Sequence, residues 1–133
     1  MRDVVVLGAG LHRYGLYPDK TPVDLALVAC AGAFDDSGVR WPDVEVGYCA
    51  SANQTAFTGH AIAAMLGTFG ATMTNLENAS ASGSAAFREA YLAIRAGLAD
   101  VAIAIGVDRC VPTGASAPPA GKRPSRPPPI PAR

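Results

Sequence analysis

Thr72–Arg95, TMTNLENASASGSAAFREAYLAIR, is the stretch on which the reading of this chain turns. Thr72–Leu76 reads as a buried strand, whereas from Ser82 onward the apolar residues recur at helical period. Asn78–Gly83 must therefore turn sharply from strand to helix. Ser80 lies in that elbow, followed by Ser82, Gly83 and Ser84, at the amino end of a helix whose first N–H groups lack intrahelical partners. Such a place suits a nucleophile or a bound anion. It equally suits a plain helix start, in which serines cap and small residues let strand and helix approach closely.

Working outward, the helix runs over Ser82–Ala96 with Gly97 as its C-cap, and VAIAIGV (Val101–Val107) reads as a strand apolar on both faces. Upstream, an alanine-rich helix starts at Thr58 or Gly59, turns Ile62, Met65 and Leu66 inward, and closes at Gly67. Val44–Ala50 is a strand before it. Earlier still, Thr21 as N-cap, Pro22 at the first helical position and Asp24 in the first turn start a helix that Ser37-Gly38 stops. Val4–Leu7, β-branched and apolar and ended by Gly8 and Gly10, reads as a fully buried strand. Four strands alternate with three helices, which predicts an α/β fold, β-α-β-α-β-α-β, with a mainly parallel sheet.

Half of the 133 residues are apolar, enough for one core. Eight of the 11 prolines fall in residues 111–133, a segment with four basic residues, no acid and no aromatic. Such a composition cannot offset its ordering entropy, so residues 1–110 are expected to fold and residues 111–133 to form a Pro-rich disordered tail. The folding part carries 7 basic against 11 acidic side chains, which argues against nucleic acid as a partner. No apolar run is long enough to span a membrane and no export signal is read, so the expected location is cytoplasmic. Cys30, Cys49 and Cys110 are an odd number at wide spacing, with no C-x-x-C and no paired histidine, so neither a disulfide framework nor a metal site is expected.

Gly8-Ala9-Gly10 after a first strand invites a dinucleotide reading, but Arg13 stands where the third glycine of G-x-G-x-x-G is needed for close helix packing. No acidic residue ends the second strand either, since Cys49-Ala50-Ser51 stands there. His12 and His60 are remote from the elbow in sequence and read as ordinary polar residues. Cys49 reads as a buried structural thiol. Asn53, Gln54 and Thr55 follow the strand's carboxyl edge, as pocket lining or as a polar turn.

GAGLHRYG near the start, TPVDLAL, and ENASASGSAAFREAYLAIRAGLADVAIAIGVD together resemble the N-terminal half of the thiolase superfamily, most closely the sterol-carrier-protein-type thiolases and lipid-transfer-like acetyl-CoA acetyltransferases. The match spans Val4–Arg109. The resemblance implies half of a thiolase-like fold and a homodimer paired through strand 72–78. It also implies acyl-CoA chemistry, with a coenzyme A thioester as substrate and no tightly bound cofactor.

On that resemblance, the elbow of the family presents a nucleophilic cysteine, and ASASGSAA puts Ser80 in its place. Glu77, Asn78, Gly83 and Ser84 shape the elbow as candidate substrate-binding residues. A thiolate at a helix N-terminus is a competent nucleophile, whereas a serine hydroxyl has no comparable anion near neutral pH and needs a base. Three accounts of this serine stand open: an inactivated thiolase, a thiolase-like aldolase that does not use the cysteine, or a non-catalytic lipid-transfer or interaction module. Nothing after Arg109 resembles the histidine-bearing second repeat of the family, and PTGASAPPAGKRPSRPPPIPAR reads as a truncated or frame-shifted end. The isolated chain is therefore expected to be inactive.

Overall fold

The computed structural model describes residues 2–53, 57–67 and 70–109; the Pro-rich segment 111–133, Gln54 and Thr55 lie outside them. Among the described residues three α-helices, α1 (Pro22–Ser37), α2 (Thr58–Leu66) and α3 (Ser82–Ala96), alternate with three strands, β1 (Val46–Ala50), β2 (Thr72–Leu76) and β3 (Ala102–Gly106). The strands form one parallel sheet in the order β2-β1-β3, with Cys49 opposite both Asn75 and Ile105. The α/β class and the parallel sheet follow the sequence pattern. The bounds of β1 and β3 are shorter than Val44–Ala50 and Val101–Val107, whereas β2 has the range Thr72–Leu76 read from the pattern, two residues short of the strand 72–78 that the resemblance implies.

Val4–Leu7 is the correction. It forms no strand, and Val5, Val6 and Leu7 are 73, 69 and 56% exposed. The physical reason is the sheet order. β2 and β3 occupy both edges of β1, and the first run lines a groove with β3 but makes no backbone hydrogen bond to it. Local composition specifies a strand, but a strand needs a neighbour.

α1 is set by its ends. The Thr21 hydroxyl accepts from the Asp24 amide at 3.1 Å, and the Asp24 carboxylate accepts from the Thr21 amide at 2.9 Å, a reciprocal capping box with Pro22 following. At the other end Gly38, at φ +70°, takes the left-handed conformation that closes the helix. Thr21→Ala removes half of that box, so thermal unfolding should show a loss of about 1 kcal/mol.

The main core lies on the α1/α2 face of the sheet. Phe34 packs edge-on to Trp41 with ring centroids 5.9 Å apart, over Leu27, Cys30, Cys49, Ile62, Met73 and Ile105. α2 approaches the sheet at Gly59, where an added Cβ would stand 2.7 Å from Cys49 Cβ. On the opposite face α3 buries Ser82, Ala86, Ala90 and Ala93, and its small face lets it lie close. A Cβ built on Gly106 would sit 3.5 Å from the Gly83 Cα. The large side chains of α3, Phe87, Tyr91 and Leu92, remain exposed. Small residues do the packing that apolar periodicity assigns to bulky ones.

Candidate functional site

The carboxyl end of the sheet is where β2 turns into α3. One turn of 3-10 helix, Ala79–Ala81, joins them, and Ala79 holds φ +44°, a left-handed value that costs an L-residue energy. The surrounding hydrogen bonds over-determine it. The Glu77 carboxylate accepts from the Ala79 amide at 2.5 Å, and the Ser82 hydroxyl donates to the Ala79 carbonyl at 2.7 Å. Ser82 also accepts from the Asn78 amide at 2.8 Å and is itself buried. Glu77, Asn78 and Ser82 thus hold the turn's backbone.

Ser80 sits exposed at the crest of this turn, directly before the first turn of α3. The residue ahead of that helix, Ala81, gives no side-chain cap; the Ser82 amide donates to the Ala79 carbonyl, and the partly positive amino end of α3 lies beside residue 80. Gly83 and Ser84 are exposed on that same first turn. Among the described residues no side chain hydrogen-bonds the Ser80 hydroxyl. The geometry suits a nucleophile in position and in local field; it places Glu77 on the backbone rather than on the hydroxyl.

Neither histidine reaches the elbow by a hydrogen bond. His12 bonds the Arg13 carbonyl at 2.8 Å and Lys20 Nζ at 2.9 Å. His60 meets the Asn75 amide nitrogen at 3.1 Å, while Asn75 Oδ1 accepts from the Gly59 amide at 2.8 Å. Cys49 is fully buried, and burial pushes its thiol up to about 11; burial and then the neighbouring Cys49 push Cys30 up to about 12. Both are structural thiols, inert as nucleophiles near neutral pH. Among the described residues no cluster of three or more potential ligands could hold a metal ion, and no helix is long and apolar enough to cross a membrane.

Asp108 is the residue that sequence reasoning missed. Its carboxylate accepts from the Ser51 hydroxyl at 2.7 Å, from the Ala52 amide at 3.0 Å and from the Asn53 amide at 3.1 Å, tying the loop after β1 to the end of β3. The available signal was an acid directly after an apolar strand, at the same sheet edge as the polar Ser51-Ala52-Asn53. Asn53 is accordingly a turn residue held by Asp108. Burial raises the Asp108 carboxyl, but the donors from Ala52, Ser51 and Asn53 outweigh it and hold the group below the usual carboxylate range. A depressed folded value means that its contribution is present above the unfolded pKa and lost as pH falls through the folded one. Asp108→Asn should cost about 1 kcal/mol at neutral pH, a modest figure because the group is largely exposed. Thermal melts across the acid range should show the wild type losing its advantage over the variant below about pH 4.

The chain matches the thiolase N-terminal domain over residues 4–116. It is 32% identical over 114 residues to an acetyl-CoA acetyltransferase of Methanothermobacter thermautotrophicus, covering 82% of this chain and 30% of that protein. It is 30% identical over 114 residues to an acetyl-CoA acetyltransferase of Methanocaldococcus jannaschii, covering 82% and 29%. The fold is similar to that of 3-oxoacyl-[acyl-carrier-protein] synthase III from Aquifex aeolicus VF5, with a TM-score of 0.59 at 17% identity, over 67% of this chain and 30% of that one. The chain thus spans about 30% of the length of the curated relatives it matches. With the elbow, the parallel sheet and residues 4–116 all in agreement, the chain belongs to the thiolase superfamily, as its N-terminal domain.

Proposed function

We propose that this chain is the N-terminal half of a thiolase-like acyltransferase of the sterol-carrier-protein type. Its reaction class is Claisen-type carbon–carbon bond formation or cleavage on acyl-CoA or steroid-CoA thioesters. The observation that carries the reading is Ser80, exposed between Ala79 at positive φ and the uncapped first turn of α3. Residue 80 stands at the nucleophile position. Attack there on a thioester carbonyl places the developing oxyanion within the field of the α3 amino end, and collapse expels the coenzyme A thiolate. Glu77 and Asn78 position the turn, and Gly83 and Ser84 leave the approach to it open. A coenzyme A thioester is the substrate, and no tightly bound cofactor is required.

The outer edge of β2 carries no partner strand among the described residues, which supports a homodimer paired through strand 72–78. A cytoplasmic location fits the same reading. The isolated chain is inactive, because a serine hydroxyl needs a base and the neighbouring Glu77 carboxylate is engaged with the Ala79 amide. That serine favours a second reading, a thiolase-like aldolase or a non-catalytic lipid-transfer or interaction module.

Incubating wild type, Ser80→Cys and Ser80→Ala with excess acetyl-CoA and weighing the intact chains tests the assignment. One added acetyl group on Ser80→Cys, mapped to residue 80 and absent from the other two, is expected. Failure of Ser80→Cys to take up an acetyl group, with the chain folded, removes residue 80 from the nucleophile position.

A further inference from the structure

The loop that leads into α1 closes on itself around two titratable side chains. His12 Nδ1 lies 2.8 Å from the Arg13 carbonyl oxygen, and Lys20 Nζ lies 2.9 Å from His12 Nε2. The Tyr17 hydroxyl donates to the same Arg13 carbonyl at 3.0 Å, and the Tyr17 and His12 rings meet edge-on with centroids 4.6 Å apart. Lys20 Nζ stands 4.9 Å from the centre of the Tyr17 ring. The backbone is fastened as well. The Lys20 amide donates to the Tyr17 carbonyl at 3.2 Å, and Arg109, beyond β3, donates to the Lys20 carbonyl at 3.2 Å. His12, Tyr17 and Lys20 are half-buried, whereas the rest of residues 11–20 are exposed.

This arrangement fixes where a proton can go. A carbonyl oxygen only accepts, so His12 Nδ1 carries a hydrogen, and Nε2 of the neutral ring presents its lone pair to Lys20. A solvated lysine offers fewer than about one free amine in a thousand at neutral pH. Lys20 has a proton acceptor within hydrogen-bond reach, held in place by a third group, which is the arrangement that activates a nucleophile. Residue 80 takes no part in it.

We infer that Lys20 is a site of Schiff-base formation with small aldehydes, and that His12 is its proton acceptor. Nζ passes a proton to His12 Nε2 and attacks the carbonyl carbon, forming the C–N bond while the carbonyl π pair moves to oxygen. A proton then shifts from nitrogen to that oxygen. The resulting hydroxyl leaves as water with the proton that His12 held, and the iminium remains. The surroundings select this product. An iminium keeps one N–H for His12 Nε2 and keeps the positive charge above Tyr17, so both contacts of the free ammonium survive. An amide formed by acyl transfer retains the N–H but loses the charge, and with it the attraction of the ring.

Incubating the full chain with butanal and cyanoborohydride at neutral pH, which reduces each iminium as it forms, and mapping the butyl label by peptide mass tests the inference. Lys122, the only other lysine, is the internal standard. Lys20 should label about tenfold faster than Lys122 or more, and the two should label alike in concentrated urea. His12→Gln keeps an oxygen that accepts from Lys20 but takes no proton, so the ratio should fall below about three. Tyr17→Leu removes the ring face under the cation and should lower the ratio about threefold. If either variant unfolds, the wild-type ratio in buffer and in urea still decides. Labelling of Lys20 no faster than Lys122, an excess that persists in urea, or a full excess in folded His12→Gln overturns the assignment. With acetyl-CoA in place of butanal neither lysine should be favoured; preferential acetylation of Lys20 overturns the aldehyde in favour of an acyl donor.

Discussion

Ser80→Cys, in a background with Cys110 replaced by serine, should alkylate with iodoacetamide at neutral pH about a hundredfold faster than Cys49 or Cys30. Helix N-termini bring cysteine thiols into the range of about 3.5–7.5, whereas burial holds Cys49 up to about 11 and Cys30 up to about 12. A separation of about four pH units is roughly a ten-thousandfold difference in thiolate fraction, and about half of its logarithm is returned, because a less basic thiolate is a weaker nucleophile. Shielding of the two buried thiols from the reagent adds to the gap. Site-resolved labelling by peptide mass reads the rates directly. Labelling of Ser80→Cys at residue 80 no faster than at the buried pair would mean that the α3 amino end exerts no useful field at this position. The same Cys110→Ser background with Ser80 kept should label only after denaturation, at Cys30 and Cys49.

Phe34→Ala should have the largest effect on stability, about 3–5 kcal/mol. Phe34 is 6% exposed, stands edge-on to Trp41, and belongs to the buried apolar cluster. Its removal leaves a cavity bounded by a ring and by strand residues that have no freedom to collapse. Small domains hold only about 5–15 kcal/mol in total, so the variant should be largely unfolded in mild denaturant. Trp41 reports the change, since its ring is 3% exposed in the native state. An unchanged midpoint in urea, followed by Trp41 fluorescence, would relocate the core.

What could be read from the sequence was whatever local chemistry decides. Thr21, Pro22 and Asp24 specify the start of α1 because the capping bonds lie within four residues, and Gly38, Gly67 and Gly97 mark helix ends because each takes positive φ. The elbow was legible for the same reason: a strand pattern meets a helix pattern with only small residues between them. Where pairing partners are distant, the pattern misleads. Val4–Leu7 has the composition of an inner strand, but composition says nothing about which edge is free. Phe87, Tyr91 and Leu92 have helical spacing, but Ala86, Ala90 and Ala93 form the face that meets the sheet. In the candidate site, the place of residue 80 in the turn was legible from local pattern, whereas the bonds of Glu77, Ser82 and Asp108 depend on backbone groups that only the folded chain brings within reach.

The bonds that shape the elbow belong to Glu77, Asn78, Ala79 and Ser82, and none of them to the hydroxyl of residue 80. On the function proposed for residue 80, form and reactivity fall to different side chains. Exchanging oxygen for sulfur at the crest disturbs no support beneath it, so a lineage built on this architecture can silence or restore its chemistry in a single mutational step without having to relearn how to fold.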